Sequence, residues 1–220
     1  MHTKRIAAGY GKKPKWLVTP KGPHRKDESI PLLRIVRDIL GYADNAHEAG
    51  KIIKSGMVLV DKVARKDPNY GVGLMDVVEI PEAGQCFRVL PTKKKHELKP
   101  IDAKETGIKL CKIVGKKVVG KGKMQLNLHD GTNILVDGKD FKTGGTVVLE
   151  LPKKKILETL QFEKGNFGLI VRGRHIGEAG KIGEITPGNA VQNSLTRIGD
   201  FQTLTEYIFI IGKDAPMITI

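Results

Sequence analysis

The sequence has few cysteines, few aromatic residues and no long apolar segment. Cys86 and Cys111 are the only cysteines among 220 residues and form no Cys-x-x-Cys pair, so a reduced cytoplasmic protein is the default interpretation. The longest apolar run, residues 207–211, is far shorter than the roughly 20 residues of a membrane span. The first residues are charged from Lys4 onward and lack an apolar signal-peptide core. With six Phe, four Tyr and one Trp, any core must be mostly aliphatic.

Residue patterns typical of catalytic and metal sites are also missing. The six histidines lie far apart and show no metal-ligand spacing with one another or with the cysteines. The glycines within 173–180 do not form a Walker loop, because no Gly-Lys-Ser or Gly-Lys-Thr follows them. Asp61, Asp67 and Asp76 are interpreted as turn aspartates. The sequence therefore predicts no catalysis, no metal site and no cofactor.

Positive charge is abundant but unevenly spread. The formal net charge is +14, and residues 1–26 hold eight Lys or Arg and no acidic residue. Residues 86–130 hold twelve basic and four acidic residues, whereas residues 27–85 hold seven against ten. Dense cation clusters point to a polyanion partner, since each neutralised phosphate releases counterions. A membrane surface is a weaker interpretation, because no stretch pairs the charges with a large apolar face.

The first 26 residues show no lasting helical or strand periodicity. Such a segment cannot bury enough apolar surface to offset its ordering entropy alone. We interpret it as a basic arm ordered by its partner, with Trp16 and Leu17 as an anchor; a disordered solubilising tail is the alternative. This interpretation predicts that removing residues 1–26 barely changes the melting temperature of the free protein.

Residues 30–80 contain two predicted helices and a small sheet. At about 100° per residue, the apolar side chains of residues 32–40 fill one arc of a helix that points Val36 and Ile39 at the core. A second helix is predicted from the capping residue Asn45 to Gly56. Residues 57–60 and 75–80 alternate as strands do.

Residues 86–160 are predicted to be almost entirely β, with one helical turn at 102–106. Asp130-Gly131 and Asp137-Gly138 are hairpin signals. The lysines between the predicted strands are more numerous than the protection of sheet edges requires. The predicted strands are residues 86–90, 110–114, 124–128, 132–136, 146–151 and 156–160.

The last segment, from residue 162, is rich in glycine. An apolar strand at 169–171 is predicted to enter a turn that runs from Gly173 to Gly183, where glycines let the backbone turn tightly and approach a partner closely. Residues 201–211 are predicted to form one closing hydrophobic strand.

Several segments resemble known ribosomal families. The helix pair followed by SGMVLVD and MDVVEI resembles the RNA-binding module shared by ribosomal protein S4, some pseudouridine synthases and tyrosyl-tRNA synthetases. The segments KRIAA, GPHRKDESIPL, KLCKIVGKK and YIFIIGKD resemble the archaeal and eukaryotic S4e ribosomal proteins, and the similarity spans essentially the whole chain. The glycine-rich turn resembles the KOW motif, best at residues 181–183. Where relatives have Asp-Gly this chain has Asp61-Lys62, so we expect a different turn geometry.

The resemblance implies an α+β multidomain fold, mostly β, and a role in translation. The implied parts are a basic extended arm (1–29), an S4-like RNA-binding module of a helix pair plus sheet (30–84), a central β-domain (85–161) and a C-terminal SH3-like (KOW) barrel (162–220). The implied function is that of a structural constituent of the small ribosomal subunit in the cytoplasm, here from an archaeon, that binds rRNA and helps assembly. The implied partners are small-subunit rRNA and neighbouring ribosomal proteins, with no membrane and no small-molecule substrate.

Cations in the arm, the module and the β-loops are the predicted RNA contacts. Recognition would rest on phosphate, 2′-OH and shape contacts, since few aromatic residues are available to stack unpaired bases. For the cations of the S4-like module, the alternative to RNA contact is an ordinary helix face exposed to solvent. The predicted RNA-binding residues are Lys4, Arg5, Lys12, Lys13, Lys15, Trp16, Arg25, Lys26, Arg34, Arg37, Lys51, Lys54, Arg65, Lys66, Lys116, Lys117, Arg172, Arg174 and Lys181.

Two other functions are consistent with parts of the sequence. A pseudouridine-synthase-like RNA-modifying enzyme can carry a similar module, but the remaining residues show no acid–base pair in a cleft. A transcription elongation factor can carry a KOW element that contacts polymerase. Co-purification with ribosomal particles, rather than with polymerase, separates these alternatives.

Overall fold

A computed structural model of the chain describes residues 17–93, 96–119, 123–138, 140–189 and 192–220. The chain separates into two compact units: the first runs to Lys109 and includes Glu150–Lys154, and the second comprises Leu110–Leu149 and Lys155–Ile220. Strands dominate both units, which confirms the predicted fold class. The finer four-part division stays a prediction. In the described ranges, none of the helices has the length and apolar character that crossing a membrane requires.

The first unit begins with two short helical segments over an aliphatic core. Its first elements are β1 (Ile30–Pro31), α1 (Leu32–Arg34), a π-helical turn (Ile35–Ile39) and α2 (Ala46–Ser55). The core contains no aromatic side chain among its fully buried members, as the composition predicts. Those members include Leu32, Ile35, Val36, Ile53, Val58 and Val60.

The π-helical turn contradicts one predicted helix face. Val36 is fully buried, as predicted, but Ile39 is 40% exposed. The backbone N–H of Leu40 donates to the carbonyl oxygen of Ile35 at 2.9 Å, the five-residue spacing of a π-helix. Each residue of this wider turn advances by less than 100°, so Ile39 no longer reaches the core. The predicted inward position of Ile39 is therefore wrong.

This geometry predicts unequal costs for two isoleucine truncations on the same turn. Ile35→Ala should lower the free energy of unfolding by about 2–5 kcal/mol, because Ile35 is fully buried. Ile39→Ala should lower it by less than about 1 kcal/mol, since much of this side chain already contacts water. Urea denaturation followed by circular dichroism measures both values. Equal costs would contradict the assignment of the π-helical turn.

The second helix has the limits that the sequence predicts. Asn45 Oδ1 accepts hydrogen bonds from the backbone N–H groups of His47 and Glu48, both at 3.0 Å. Glu48 Oε2 reaches back to the backbone N–H of Asp44 at 3.1 Å, a variant of the capping box. Gly56 ends the helix with φ of 89°, a left-handed conformation that glycine adopts without a Cβ clash.

The sheet of the first unit is antiparallel, with strand order β3-β2-β5-β6-β7. β1 pairs separately with β4, and the predicted helical turn at 102–106 is present as a 3-10 helix, Ala103–Gly107. The strands are β2 (Leu59–Val60), β3 (Val63–Ala64), β4 (Gly71–Val72), β5 (Val77–Ile80), β6 (Gln85–Pro91) and β7 (His96–Pro100).

The β2–β3 hairpin contradicts the expectation of an altered turn. Asp61 and Lys62 both have positive φ, 52° and 64°, which is the type I′ geometry that Asp-Gly favours. A non-glycine residue in this conformation costs about 1–2 kcal/mol. Lys62 Nζ, however, donates to Glu79 Oε2 at 2.7 Å and to Thr106 Oγ1 at 2.6 Å. These contacts of the lysine side chain offset the backbone cost that glycine would avoid.

The central sheet of the second unit has the strand order β10-β9-β8-β11-β12. All six strands predicted for residues 86–160 are present, although the one predicted at 110–114 runs over 108–118, and Asp130-Gly131 forms the β9–β10 hairpin. The strand at 96–100 was not predicted. The hairpin predicted at Asp137-Gly138 is wrong, because the following strand pairs with β8 instead. The strands are β8 (Ile108–Val118), β9 (Lys123–Leu128), β10 (Asn133–Asp137), β11 (Thr146–Glu150) and β12 (Lys155–Leu160).

The reason for this strand order lies in two burial patterns. Residues 146–149 of β11 are all buried, whereas β10 alternates between exposed and half-buried residues. A continuously buried strand gains most from an interior position, and an alternating strand suits a sheet edge with one solvated face. β11 therefore takes the interior position beside β8, and β10 remains at the edge.

The C-terminal part of the second unit is a five-stranded sheet that curls on itself. Its order is β16-β15-β14-β13-β17, and β16 and β17, at opposite edges, are joined by the three-residue 3-10 turn Thr205–Tyr207. So short a connection brings the two edges together, as in the predicted SH3-like barrel. The strands are β13 (Phe167–Ile170), β14 (Ala179–Thr186), β15 (Leu195–Ile198), β16 (Phe201–Leu204) and β17 (Ile208–Gly212).

Two predictions for this sheet need correction. Residues 201–211 form two strands rather than one, because the 3-10 turn redirects the chain from one edge of the sheet to the other. Gly180 and Gly183 lie within β14 rather than in the glycine-rich turn, which ends at residue 178. At Gly180 a Cβ atom would lie 3.1 Å from Ile198 Cγ2, so this glycine allows close strand packing.

Candidate nucleic-acid interface

The cations of the first helical segment are largely paired within the protein. Arg34 Nε lies 3.6 Å from Asp38 Oδ2, and its side chain is only 15% exposed. Arg37 also pairs with Asp38, at 2.5 Å and 3.1 Å. These two predicted RNA-binding residues therefore share one carboxylate, and they offer less uncompensated charge than a solvated helix face.

A second group of cations gathers around the C-terminal end of α2. Lys51 and Lys54 are exposed on α2, and Lys66 Cε lies 3.4 Å from the position of a Cβ on Gly56. The guanidinium carbon of Arg65 lies 4.5 Å from the centroid of the Tyr70 ring. We call Lys51, Lys54, Arg65 and Lys66 the helix-end surface. Its chemistry suits phosphate oxygens, and cations near a helix C-terminus are also favoured by the helix dipole.

Residues 17–29 form a strap that packs on the first unit. The backbone N–H of Lys21 donates to the Asn69 carbonyl at 2.7 Å, and the N–H of Gly71 donates to the Lys21 carbonyl at the same distance. Pro20 and Ser29 are buried, and Val18 packs against the aliphatic core. The prediction that residues 1–26 contribute little to native packing is therefore wrong for the described part of that segment. A strap needs no periodicity, because backbone pairing and single buried side chains hold it.

The strap also positions two of the predicted RNA-binding residues. Arg25 and Lys26 are exposed, and Arg25 pairs with Asp27 at 3.2 Å. The other predicted contacts of this segment lie outside the described residues. They are Lys4, Arg5, Lys12, Lys13, Lys15 and Trp16.

A buried charge network lies beneath the strap, and the sequence analysis missed it. Lys109 Nζ donates to Asp61 Oδ2 and to Asp76 Oδ1, both at 2.6 Å, and the side chains of Lys109 and Asp76 are 3% and 1% exposed. His24 Nε2 lies 2.8 Å from Asp76 Oδ2, which also accepts a hydrogen bond from the backbone N–H of Gly73 at 2.9 Å. The network thus joins the strap, residues 61 and 76 of the S4-like module and the start of β8.

The two carboxyl groups of this network have opposite pKa shifts. Burial by itself would raise the pKa of Asp76, but the charges of Lys109 and His24 lower it well below its ordinary value. Burial and the neighbouring Asp76 carboxylate raise the pKa of Asp61, despite the opposing effect of Lys109. A signal for this network was available in the sequence, because Lys109 lies between Ile108 and Leu110 and Asp76 lies between Met75 and Val77.

The second unit carries its own group of predicted contacts. Lys116 and Lys117 are exposed near the end of β8, and Lys116 Nζ donates to the Phe141 carbonyl at 3.0 Å. Arg172 and Arg174 are exposed on the loop between β13 and β14. Lys181 lies on β14, 3.6 Å from Asp214. Among the described residues, no group of three His, Cys, Asp or Glu could hold a metal ion; the absence of metal stays a prediction.

Comparisons with known families match two adjacent parts of the chain. The model of the S4 domain matches residues 31–78, which contain the helix pair, the β2–β3 hairpin and the first half of β5. The model described as ribosomal family S4e matches residues 83–156. These matches correspond to the two resemblances found in the sequence.

Individual relatives match nearly the full chain. Small ribosomal subunit protein eS4 of Methanothermobacter thermautotrophicus is 48% identical over 213 residues, covering 94% of this chain and 88% of that protein. The eS4 protein of Ignicoccus hospitalis is 41% identical over 239 residues, with coverage of 99% and 93%. A crystal structure of the 30S ribosomal protein S4e from Thermoplasma acidophilum has 32% identity and a TM-score of 0.76, covering 86% of this chain and 97% of that one. The chain therefore belongs to the S4e family of ribosomal proteins.

Proposed function

We propose that this chain is a structural constituent of the small ribosomal subunit that binds its rRNA and helps its assembly. Its relatives are named as small ribosomal subunit proteins, and its first unit contains an S4 domain. Neighbouring small-subunit proteins are further partners. The role is architectural, so the protein works by holding RNA segments in place in the cytoplasmic ribosome and not by catalysis.

The helix-end surface is the observation that carries this proposal. It presents the exposed side chains of Lys51, Lys54 and Lys66 on a folded S4 domain. The other charged residues within 27–85 are three basic against ten acidic, so the positive charge is local. Phosphates docking there would release counterions without requiring the protein to change shape. Arg34 and Arg37 contribute less, because the Asp38 carboxylate that they share cancels one of their two charges.

The two alternative functions find no support in the comparisons. Both the matched curated proteins and the matched solved structure are ribosomal proteins, and the prediction of a non-enzyme is confirmed by membership of that family. The KOW-like sheet is accounted for by the same family, so an elongation factor is not needed to explain it.

Neutralising two lysines of the helix-end surface tests the proposal. The variant Lys54→Gln/Lys66→Gln should bind small-subunit rRNA more weakly, and the log–log salt slope should fall by roughly 1.4–1.8 units, at about 0.7–0.9 per phosphate. Lys99→Gln/Lys104→Gln removes the same charge from exposed positions of the same unit and should leave the slope nearly unchanged. Filter binding between 50 and 300 mM salt, roughly the range over which such contacts weaken, measures both. Equal effects of the two variants would remove the helix-end surface from the proposal.

A further inference from the structure

A stacked pair of rings occupies one end of the C-terminal sheet. The centroids of the His175 and Phe201 rings lie 4.5 Å apart, with 28° between the ring planes. Both side chains are half-buried. Because Phe201 covers one face of the His175 ring, the exposed part of that ring belongs to its opposite face and its edges.

The loop that carries His175 is held by its own backbone. Gly173 and Gly177 have φ values of 90° and 89°, a region that favours glycine. The N–H of Gly177 donates to the Ile170 carbonyl at 2.8 Å, and a Cβ on Gly173 would lie 3.2 Å from the Tyr207 ring. The ring stack therefore sits on a defined turn rather than at the tip of a long, unsupported loop.

Lys112 holds the 3-10 turn Thr205–Tyr207, whose Tyr207 ring lies beside Gly173 of this loop. Its Nζ donates to the carbonyl oxygens of Glu206 and Ile208 at 2.7 and 2.6 Å, on either side of Tyr207. Burial, opposed by the Glu206 charge and assisted by the Arg172 charge, lowers the pKa of Lys112 to about 8. The charge of Arg172 therefore acts on the Lys112 ammonium group.

Arginines lie close in sequence to both stacked rings. Arg172 and Arg174 precede His175 on the same loop, and Arg197 lies on the β15–β16 hairpin that carries Phe201; all three are exposed. Asp200 is the acidic neighbour in that hairpin. An aromatic face next to Arg174 suits a nucleobase with an adjacent phosphate, because bases stack on aromatic faces while guanidinium groups bind phosphate.

We propose that His175, supported by Phe201, is a stacking site for one unpaired RNA base, with Arg174 binding an adjacent phosphate. The proposal rests on the proposed rRNA-binding function and specifies the ligand of the C-terminal sheet. Direct stacking departs from the expectation from the sequence, in which recognition rests on phosphate, 2′-OH and shape contacts. The two rings are 26 positions apart in the sequence, so only the fold brings them together.

A short oligoribonucleotide with one 2-aminopurine tests the proposal, since stacking quenches the fluorescence of this base. With the full chain we expect quenching on binding. In His175→Ala the quenching should be lost and affinity should fall roughly 5- to 150-fold, the effect of about 1–3 kcal/mol for one stacked base. His175→Phe keeps an aromatic face and should restore both. Binding of a fully paired hairpin of the same length should be the same in all three proteins.

The outcomes separate this inference from the proposed function. If the full chain binds small-subunit rRNA but quenching is absent, or is unchanged in His175→Ala, the stacking site is refuted and the rRNA function stands. If the full chain binds neither the oligonucleotide nor rRNA, both proposals fail. An equal loss of hairpin binding in His175→Ala would also refute stacking, because it would indicate a general defect in the protein.

Discussion

Replacing Lys109 with methionine is expected to lower the free energy of unfolding by about 3–5 kcal/mol, the usual cost of removing one partner of a buried ion pair. Methionine matches the length and apolar character of the lysine stem, so little packing is lost. The carboxylates of Asp61 and Asp76 would remain buried without the ammonium group that lies 2.6 Å from each. Unpaired buried charge, rather than a cavity, would therefore dominate the loss.

The pH dependence of this variant should differ from that of the unchanged protein. In the latter, the pKa of Asp76 is lower in the folded state than in the unfolded state, so its carboxylate contributes stability at neutral pH that is lost as the pH falls through the folded value. In Lys109→Met, burial and mutual repulsion would raise the folded pKa of both carboxyl groups. A carboxyl group with a raised folded pKa makes the protein less stable as the pH rises through that pKa. The difference in free energy of unfolding between the variant and the unchanged protein should therefore shrink as the pH is lowered from 7 to about 5.

Two further variants make this prediction specific. Lys99→Met removes a lysine from an exposed position on β7 and should leave the melting temperature nearly unchanged. Adding Asp61→Asn to Lys109→Met should restore part of the stability, because the amide oxygen can still accept from the Val77 N–H, which lies 3.0 Å away. A Lys109→Met protein as stable as Lys99→Met, with no pH dependence of the difference, would contradict the described network.

Deleting residues 1–26 is expected to destabilise the first unit, whereas deleting residues 1–16 should not. The longer deletion removes the backbone pairing of Lys21 and the His24–Asp76 contact, with an expected cost of about 1.5–3 kcal/mol for the lost hydrogen bond to the buried Asp76 carboxylate alone. The shorter deletion ends before Leu17 and removes none of the described contacts. Thermal denaturation of the two truncated proteins measures the difference. Equal melting temperatures would restore the interpretation of the whole segment as an arm without a structural role.

The shorter deletion should still affect RNA binding. Residues 1–16 contain five Lys or Arg and no acidic residue. If about half of these cations meet phosphates, the log–log salt slope of rRNA binding should fall by roughly two units, at about 0.7–0.9 per contact. An unchanged slope would show that this segment makes no phosphate contacts in the bound state.

Local signals in the sequence predicted the local elements well. The limits of α2 follow from Asn45 and Gly56, whose side-chain and backbone preferences act within a few residues. Six of the strands between residues 86 and 160 follow from apolar alternation and from turn residues, whereas the strand at 96–100 was missed. These features depend on neighbours in the sequence, so a single sequence contains the information for them.

Features that depend on distant contacts were not predictable in the same way. The π-helical turn moves Ile39 out of the core, although its side chain fits an ideal helical arc. The charge network joins residues 24, 61, 76 and 109 through the fold. The sequence shows Lys109 and Asp76 between apolar neighbours, but it does not show which residues they pair with. The His175–Phe201 stack depends on the approach of a loop and a hairpin. The pairing partners in the charge network and in the ring stack therefore became visible only in three dimensions.

Sedimentation in a sucrose gradient tests the central claim most directly. An epitope-tagged copy of the chain, expressed in archaeal cells, should sediment with the small ribosomal subunit at low magnesium, where the two subunits separate. It should move to the top of the gradient after ribonuclease treatment, because its attachment depends on rRNA. A tagged protein that stays at the top without ribonuclease, or that sediments with RNA polymerase, would contradict a structural role in the small subunit.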